Sequence, residues 1–221
     1  MTSKDITKRE LLPVLEIASV VLSAVVVEWA FKASEIRGIA SATVVILAFA
    51  FMIASHRLRG ETLRDLGFRW DNFLGAIKLL ALYSIIPALV LVGIGFYCGS
   101  IHLPLPERRQ MLAWLPLVGV SWGLVQQYWL QGFINRRAQQ GLGAGALSIL
   151  VVALLFSALH LPNVGLAIAT FVAGLVWAGA YQRQPNLFAL ALAHSLGTIL
   201  LIATVPPEWL RGLRVGFQYF Q

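Results

Sequence analysis

The chain has 221 residues, of which 58% are hydrophobic and only 12% are charged, whereas an average soluble domain has about 25% charged residues. This composition excludes a disordered chain, a coiled coil and an ordinary soluble enzyme. The mean hydropathy of +0.77 indicates that lipid is the main solvent. The single cysteine, Cys98, excludes a framework of internal disulfide bonds.

The formal net charge of +7 raises the question of a nucleic-acid partner. The basic residues, however, lie at the ends of apolar blocks, as Arg57, Arg59, Arg64 and Arg69 do, where they can contact anionic lipid headgroups. No basic stretch alternates with aromatic residues in the way that a nucleic-acid interface would require. We therefore predict membrane lipid, and no nucleic acid, as the partner of these charges.

Seven apolar blocks predict helices that cross the bilayer. In chain order they cover about 11–31, 38–55, 73–97, 111–133, 146–160, 164–181 and 187–205. Because backbone groups in lipid must bond within their own segment, and because these blocks are too long for barrel strands, we predict an all-α bundle of about seven transmembrane helices. The hydrophilic stretch 57–71 predicts a short interfacial helix with a turn, and the final segment 207–221 is also suited to the interface.

The first block is too long for the apolar region of a signal peptide, and it contains Glu16 and Glu28, so we interpret it as an uncleaved span.

More Lys and Arg residues lie on the side of the N-terminus than on the other, which predicts a cytoplasmic N-terminus in a bacterial inner membrane. We expect one integral membrane domain, 1–221, in which the half 111–205 carries the polar motifs.

Polar side chains within predicted spans are costly and therefore need a reason. Three spans each carry a pair of motif residues four positions apart, which places each pair on one helical face. The pairs are Gln127 with Gln131, Phe156 with His160, and His194 with Thr198, and Gln126 adjoins the first. The simplest packing gathers them into one polar pocket inside the bundle. We predict Phe156 and Asn163 as substrate-binding residues, with Asn163 as a donor at the mouth of the pocket. Structural roles stay open for several: Gln126 could bond between helices, and a turn or a cap suits Asn163 better than the donor role.

These three segments, in this order, resemble the motif-bearing half of the CAAX protease and bacteriocin-processing family, also called the Abi or type II CAAX prenyl endopeptidase family. The family pattern is two adjacent Glu with an Arg four residues after the second, then Phe-x-x-x-His, then His-x-x-x-Asn or Asp. The resemblance covers roughly 115–202, and TLRDLGFRW at 62–70 is similar to a loop common in the family. It implies an intramembrane endopeptidase in which a Glu activates water while His and Asn hold the oxyanion.

Four motif positions depart from the family pattern. Gln126 and Gln127 replace the two Glu, Gln131 replaces the Arg, and Thr198 replaces the Asn or Asp, whereas Phe156, His160 and His194 match. A Gln amide cannot take a proton from water, and losing a general base costs about 10²–10⁴-fold in rate. Glu28 could reach the pocket, but its spacing from Lys32 favours an ion pair between them. The resemblance together with these changes predicts a largely silent peptidase.

Other chemistries are weaker. Two His without a suitable third ligand argue against a catalytic zinc, so we expect no metal and no cofactor. A serine nucleophile such as Ser157, three residues before His160, lacks an acid to orient the imidazole.

Three functions stay open from the sequence. The preferred one is a degenerate protease that binds a peptide, lipid or protein partner in the polar intramembrane pocket. The second is an active intramembrane peptidase in which His160 or His194 is the base and Gln side chains form the oxyanion hole. The third is a structural subunit of a larger membrane complex.

Overall fold

The computed structural model of the chain describes residues 3–31, 37–101 and 119–221, and every regular element in these ranges is a helix. The α-helices of the described ranges are α1 (Ser3–Val25), α2 (Arg37–Leu58), α3 (Phe73–Cys98), α4 (119–127), α5 (Arg136–Leu142), α6 (Ala146–Ala158), α7 (Val164–Arg183), α8 (Leu187–Thr204) and α9 (Pro207–Leu210). The π-helices Val26–Phe31 and Tyr128–Asn135 continue α1 and α4. Short 3₁₀ helices cover Arg211–Leu213 and Gly216–Phe220. The predicted all-α membrane bundle is confirmed.

Five helical stretches of the described ranges are long and apolar enough to cross a membrane. They are Leu11–Phe31, Gly38–Leu58, Phe73–Cys98, Val164–Arg183 and Leu187–Thr204, and each corresponds to a predicted span. The predicted span 146–160 is shorter than expected, because α6 has 13 residues and is therefore about 20 Å long, against about 30 Å of hydrocarbon core. Of the predicted span 111–133, residues 111–118 lie outside the described residues, and the remainder is helical.

The candidate spans differ in how much of each is buried within the protein. The span windows of α1 with its π-helix, α2 and α3 are 17%, 11% and 11% buried, whereas those of α7 and α8 are 44% and 39% buried. Large apolar side chains such as Ile39 and Ile86 are accordingly exposed, at 83% and 74%. Such continuous apolar surface suits contact with lipid tails.

The chain divides into two compact units that alternate along the sequence. The first comprises Met1–Thr62, Phe133–Leu175 and Leu213–Gln221, and the second comprises Leu63–Gly132 and Val176–Gly212. In the first unit α1 packs against α2 and α5, and α5 packs against α6. In the second unit α3 packs along α8.

The hydrophilic stretch 57–71 contains no interfacial helix: α2 runs to Leu58, and turns follow it. Besides the hydrogen bonds of its own turns, this loop bonds to residues of α7, of the turn that follows α7 and of α8. Tyr181 donates its hydroxyl to Leu66 O, Leu187 N donates to Gly67 O at 2.9 Å, and Asn186 Nδ2 donates to Arg69 O at 2.7 Å. The prediction of a helix was wrong because these tertiary partners satisfy the loop carbonyls.

Candidate functional site

The helix that carries the motif glutamines changes from α to π where they lie. Gln126 and Gln127 end α4, and Gln131 lies in the π-helix Tyr128–Asn135. The i→i+5 hydrogen bonding of a π-helix is rare and occurs frequently at functional sites. Gln127 and Gln131 are both 0% exposed, whereas Gln126 is half-buried. The two glutamines predicted to share a face are thus both enclosed by protein.

The structure brings together two motif residues of the second unit, Gln127 and His194. Gln127 Nε2 lies 3.1 Å from His194 Nδ1. An amide nitrogen can only donate, so Nδ1 is the acceptor, and the neutral ring carries its proton on Nε2. The imidazole therefore presents a donor, Nε2–H, on its other edge.

Two further residues of the second unit hold the His194 ring. The Trp177 ring stacks on it with centroids 4.9 Å apart and an interplanar angle of 24°. Gly123, one turn before Gln127, allows close approach of α4 to α8, because a Cβ there would lie 3.0 Å from Ala191 O and 3.4 Å from His194 Cβ. Sequence reasoning missed both residues, since neither belongs to the motifs.

Two buried polar atoms near this pair make no hydrogen bond within the described part of the chain: Gln127 Oε1 and Ser195 Oγ. Leaving a buried polar group unsatisfied costs about 1–3 kcal/mol. Thr198, the last motif position, follows on α8 and is half-buried. Gln127 Oε1 and Ser195 Oγ therefore stay without a hydrogen-bond partner among the described residues.

The motif residues Phe156 and His160 lie in the first unit, at the end of α6. His160 Nδ1 lies 2.7 Å from the carbonyl oxygen of Phe156, and the two rings meet edge to face at 4.8 Å. Because a carbonyl can only accept, Nδ1 carries the proton and Nε2 keeps its lone pair. His160 is thus an acceptor at Nε2, the opposite of His194.

Asn163, predicted as a pocket donor or a cap, is 1% exposed. Its Oδ1 accepts a hydrogen bond from Leu166 N at 3.1 Å in the first turn of α7, and its Nδ2 donates to Arg214 O at 3.1 Å. The side chain is therefore a helix cap that also holds the segment around Arg214.

A second polar group, which the sequence reasoning did not assemble, lies in the first unit at the ends of α2 and α5. We call it the ionic cluster. Its members are Glu16, Ser55, His56, Arg59, Glu61, Arg136 and Arg137. Arg137 is 0% exposed and forms its centre. It contacts Glu61 at 2.9 Å and Glu16 at 3.0 Å, and it donates to Ser55 Oγ at 3.0 Å.

Within the ionic cluster, the carboxylate of Glu61 is held ionised by its neighbours. Glu61 is 2.6 Å from His56 Nδ1 and 2.8 Å from Arg136. Burial alone would raise the pKa of Glu61, but hydrogen bonds from His56, Arg137 and Arg136 hold that pKa well below its ordinary value. The only sequence signals of this cluster were an acid inside an apolar block, Glu16, and two adjacent arginines at the end of a span.

Among the residues that the structure describes, no group of three or more His, Cys, Asp or Glu side chains is placed to hold a metal ion. Lys32, the predicted partner of Glu28, lies outside the described residues.

Comparison with known families supports the motif reading. Residues 108–200, which include every motif position, match the family model described as type II CAAX prenyl endopeptidase Rce1-like. The resemblance stated from the motifs is thereby confirmed, over less than half of the chain. Comparisons with curated proteins and with solved structures give no match. The match and the long apolar helices together identify an integral membrane protein that is CAAX-protease-like.

Proposed function

We propose that this protein is a non-hydrolytic relative of the CAAX-type intramembrane endopeptidases, which binds a peptide or protein partner around Gln127 and His194 without cleaving it. The observation that carries the proposal is the hydrogen bond from the Gln127 amide to His194. At a position where the family pattern has a carboxylate that takes a proton from water, this chain has a neutral group that donates.

The neutral site is suited to binding rather than to hydrolysis. The His194 Nε2–H is a donor for a carbonyl or carboxylate oxygen, and Ser195 Oγ and Gln127 Oε1 are buried atoms that a bound polar group could satisfy. The replacement of the motif Arg by Gln131 removes the positive charge along with the negative ones, which avoids a buried unpaired charge. Because the Glu and Arg positions have all become neutral, we infer that the motif residues changed together and that the loss of charge is not confined to one position.

The family resemblance suggests the ligand class, a peptide that ends in a CAAX sequence whose cysteine carries an isoprenoid chain. Such a ligand brings apolar bulk that the lipid-facing helices accept, and a peptide backbone whose carbonyl oxygens suit the His194 donor.

The test uses the full chain in lipid nanodiscs with a fluorescent farnesylated CAAX peptide. Binding is followed by anisotropy and cleavage by mass spectrometry. We expect binding without cleavage, and about tenfold weaker binding for His194→Ala, since one hydrogen bond of about 1–1.5 kcal/mol is lost. The triple variant Gln126→Glu, Gln127→Glu, Gln131→Arg is expected to cleave. Gln139→Glu, a half-buried position away from the motifs, is the matched control. Cleavage by the wild type that disappears in His194→Ala would contradict the proposal.

One observation favours a second candidate, an active peptidase with His160 as its base. Because Phe156 O holds the Nδ1 proton of His160, the Nε2 lone pair can take a proton from water. Burial lowers the pKa of His160 below the ordinary imidazole value of about 6.5, so activity of this kind would fall only at a more acid pH, as the imidazole protonates. Cleavage that persists unchanged in His160→Ala would exclude it.

A further inference from the structure

The segment Leu213–Gln221, which we call the strap, contacts two other elements of the first unit. One is the π-helix Val26–Phe31, and the other is the loop 159–163 between α6 and α7. At the far end of the strap the Phe220 ring lies 6.4 Å from the Trp29 ring. The strap is therefore anchored at both ends of its length.

The loop 159–163 binds the strap through backbone polar groups. Gly216 N donates to Leu161 O at 3.0 Å, and Asn163 Nδ2 donates to Arg214 O at 3.1 Å. Between them Val215 is extended, with φ −133° and ψ 166°. In an extended chain the carbonyl of one residue and the N–H two residues later point to the same side. The loop thus offers one acceptor and one donor at the spacing that any extended peptide presents.

The fit of the strap depends on the absence of a side chain at Gly216. Its φ of +55° lies in the left-handed region, and a Cβ there would lie 2.8 Å from Glu28 O and 3.0 Å from Glu28 Cβ. Both the backbone conformation and the contact therefore exclude any other residue without a shift of the strap.

The peptide-binding groups of the loop adjoin a motif residue. His160 immediately precedes Leu161, whose carbonyl oxygen accepts a hydrogen bond from Gly216 N of the strap. A segment that binds Leu161 O and Asn163 Nδ2 consequently lies beside the motif histidine of this unit.

We propose that the loop 159–163 is a binding site for an extended peptide segment, and that the strap occupies it as an internal ligand that a partner peptide displaces. The proposal deepens the proposed function, on which it relies only for the peptide nature of the partner. Because an occupied site must first be vacated, the apparent affinity for an added peptide is the intrinsic affinity multiplied by the fraction of molecules whose strap is released.

The experiment compares the wild type with Gly216→Ala and with the matched control Gly212→Ala, all as full chains in nanodiscs. Gly212 also has a left-handed φ, +62°, but a Cβ there meets nothing within 4 Å. The probe is a fluorescent peptide with the sequence of the strap, LRVGFQYFQ. We expect Gly216→Ala to bind the probe at least tenfold more tightly than the wild type and Gly212→Ala to resemble the wild type. Hydrogen exchange of the strap amides should rise in Gly216→Ala alone.

A second route keeps the test independent of one substitution. Phe220→Ala, at the exposed end of the strap, removes the Trp29 contact without the backbone clash and should raise probe affinity by a smaller factor. Adding Asn163→Leu to Phe220→Ala should remove that gain, since the donor to the peptide carbonyl is lost. Equal probe binding by wild type and both strap variants, with strap amides still protected, overturns the proposal. His194→Ala should leave probe binding unchanged, so failure of the proposed function at His194 is distinguishable from failure here.

Discussion

The ionic cluster of the first unit and the Gln127–His194 site of the second both bury polar side chains, but they satisfy them in different ways. In the ionic cluster, two carboxylates and a hydroxyl surround the buried guanidinium of Arg137. The motif site instead joins an amide to a neutral ring. Buried charge is tolerated only with complete pairing, so a site that loses its Glu is expected to lose its Arg as well. The chain therefore has buried charged side chains in the ionic cluster, whereas the Glu and Arg positions of the family motif hold neutral side chains.

The two motif histidines extend this contrast. His160 donates a hydrogen bond from Nδ1–H to a carbonyl oxygen, and His194 accepts a hydrogen bond at Nδ1 from an amide N–H. The same residue type thus presents an acceptor in one unit and a donor in the other, because the partner of Nδ1 determines the tautomer.

The largest effect is expected from removing the centre of the ionic cluster. Arg137→Met leaves Glu16 and Glu61 buried without their shared cation and should lower the free energy of unfolding by about 3–5 kcal/mol. Unfolding in mixed detergent micelles with increasing SDS measures this change. Arg64→Met, at a guanidinium that is 67% exposed, is the control and should change stability little. Similar losses of unfolding free energy in both variants would show that the buried ion pairs of Arg137 contribute no more to stability than the exposed pair of Arg64.

Acid should weaken the ionic cluster before it affects the neutral site. Because the folded pKa of Glu61 lies below its unfolded value of about 4.3, its contribution to stability is complete above about pH 5. It is lost as the pH falls through the unfolded pKa toward the folded one. SDS unfolding midpoints between pH 3 and pH 7 should therefore drop below pH 5, and the drop should be smaller in Glu61→Gln. An identical pH dependence in the two proteins would show that titration of Glu61 does not cause the loss of stability in acid.

A carboxylate at the motif position should reverse the tautomer of His194. In Gln127→Glu the new carboxylate accepts from Nδ1–H, which leaves Nε2 with a lone pair, and the buried acid should lower the free energy of unfolding by about 1–3 kcal/mol. The ¹⁵N shifts of the His194 ring report the tautomer. Gln139→Glu is the control and should leave those shifts as they are. An unchanged Nε2–H signal in Gln127→Glu would mean that Gln127 does not determine the ring state.

The smallest effect is expected for the aromatic contact on His194. Trp177→Leu removes the stacked indole and should cost about 0.5–1.5 kcal/mol beyond lost burial, with a change in the His194 ring shifts. The matched variant is Trp70→Leu, whose ring stacks on Phe188 at 4.3 Å and is 68% exposed. It should leave the His194 shifts unchanged and cost less. If both variants left the His194 shifts unchanged, the indole would have no part in holding the ring.

The sequence predicted the parts of this molecule that depend on local pattern. Apolar blocks of spanning length predicted the helices of Leu11–Phe31, Phe73–Cys98 and Leu187–Thr204, because hydropathy and length are properties of a continuous segment. The motif spacing predicted the family likeness that residues 108–200 confirm. The interfacial helix at 57–71 was predicted wrongly, since its hydrophilic composition does not reveal that the carbonyls of Leu66, Gly67 and Arg69 find partners on α7 and α8.

By itself the sequence determined that this is an apolar, helical membrane chain whose motif positions lack acids, because composition and spacing are read from one segment at a time. Only the tertiary structure decided that Arg137 meets Glu61 across 76 positions of the chain, that α4 passes into the π-helix that contains Gln131, and that Gln127 reaches His194. These features depend on which helices pack together, and a hydrogen-bond partner or a histidine tautomer exists only after that packing has brought distant side chains within bonding distance.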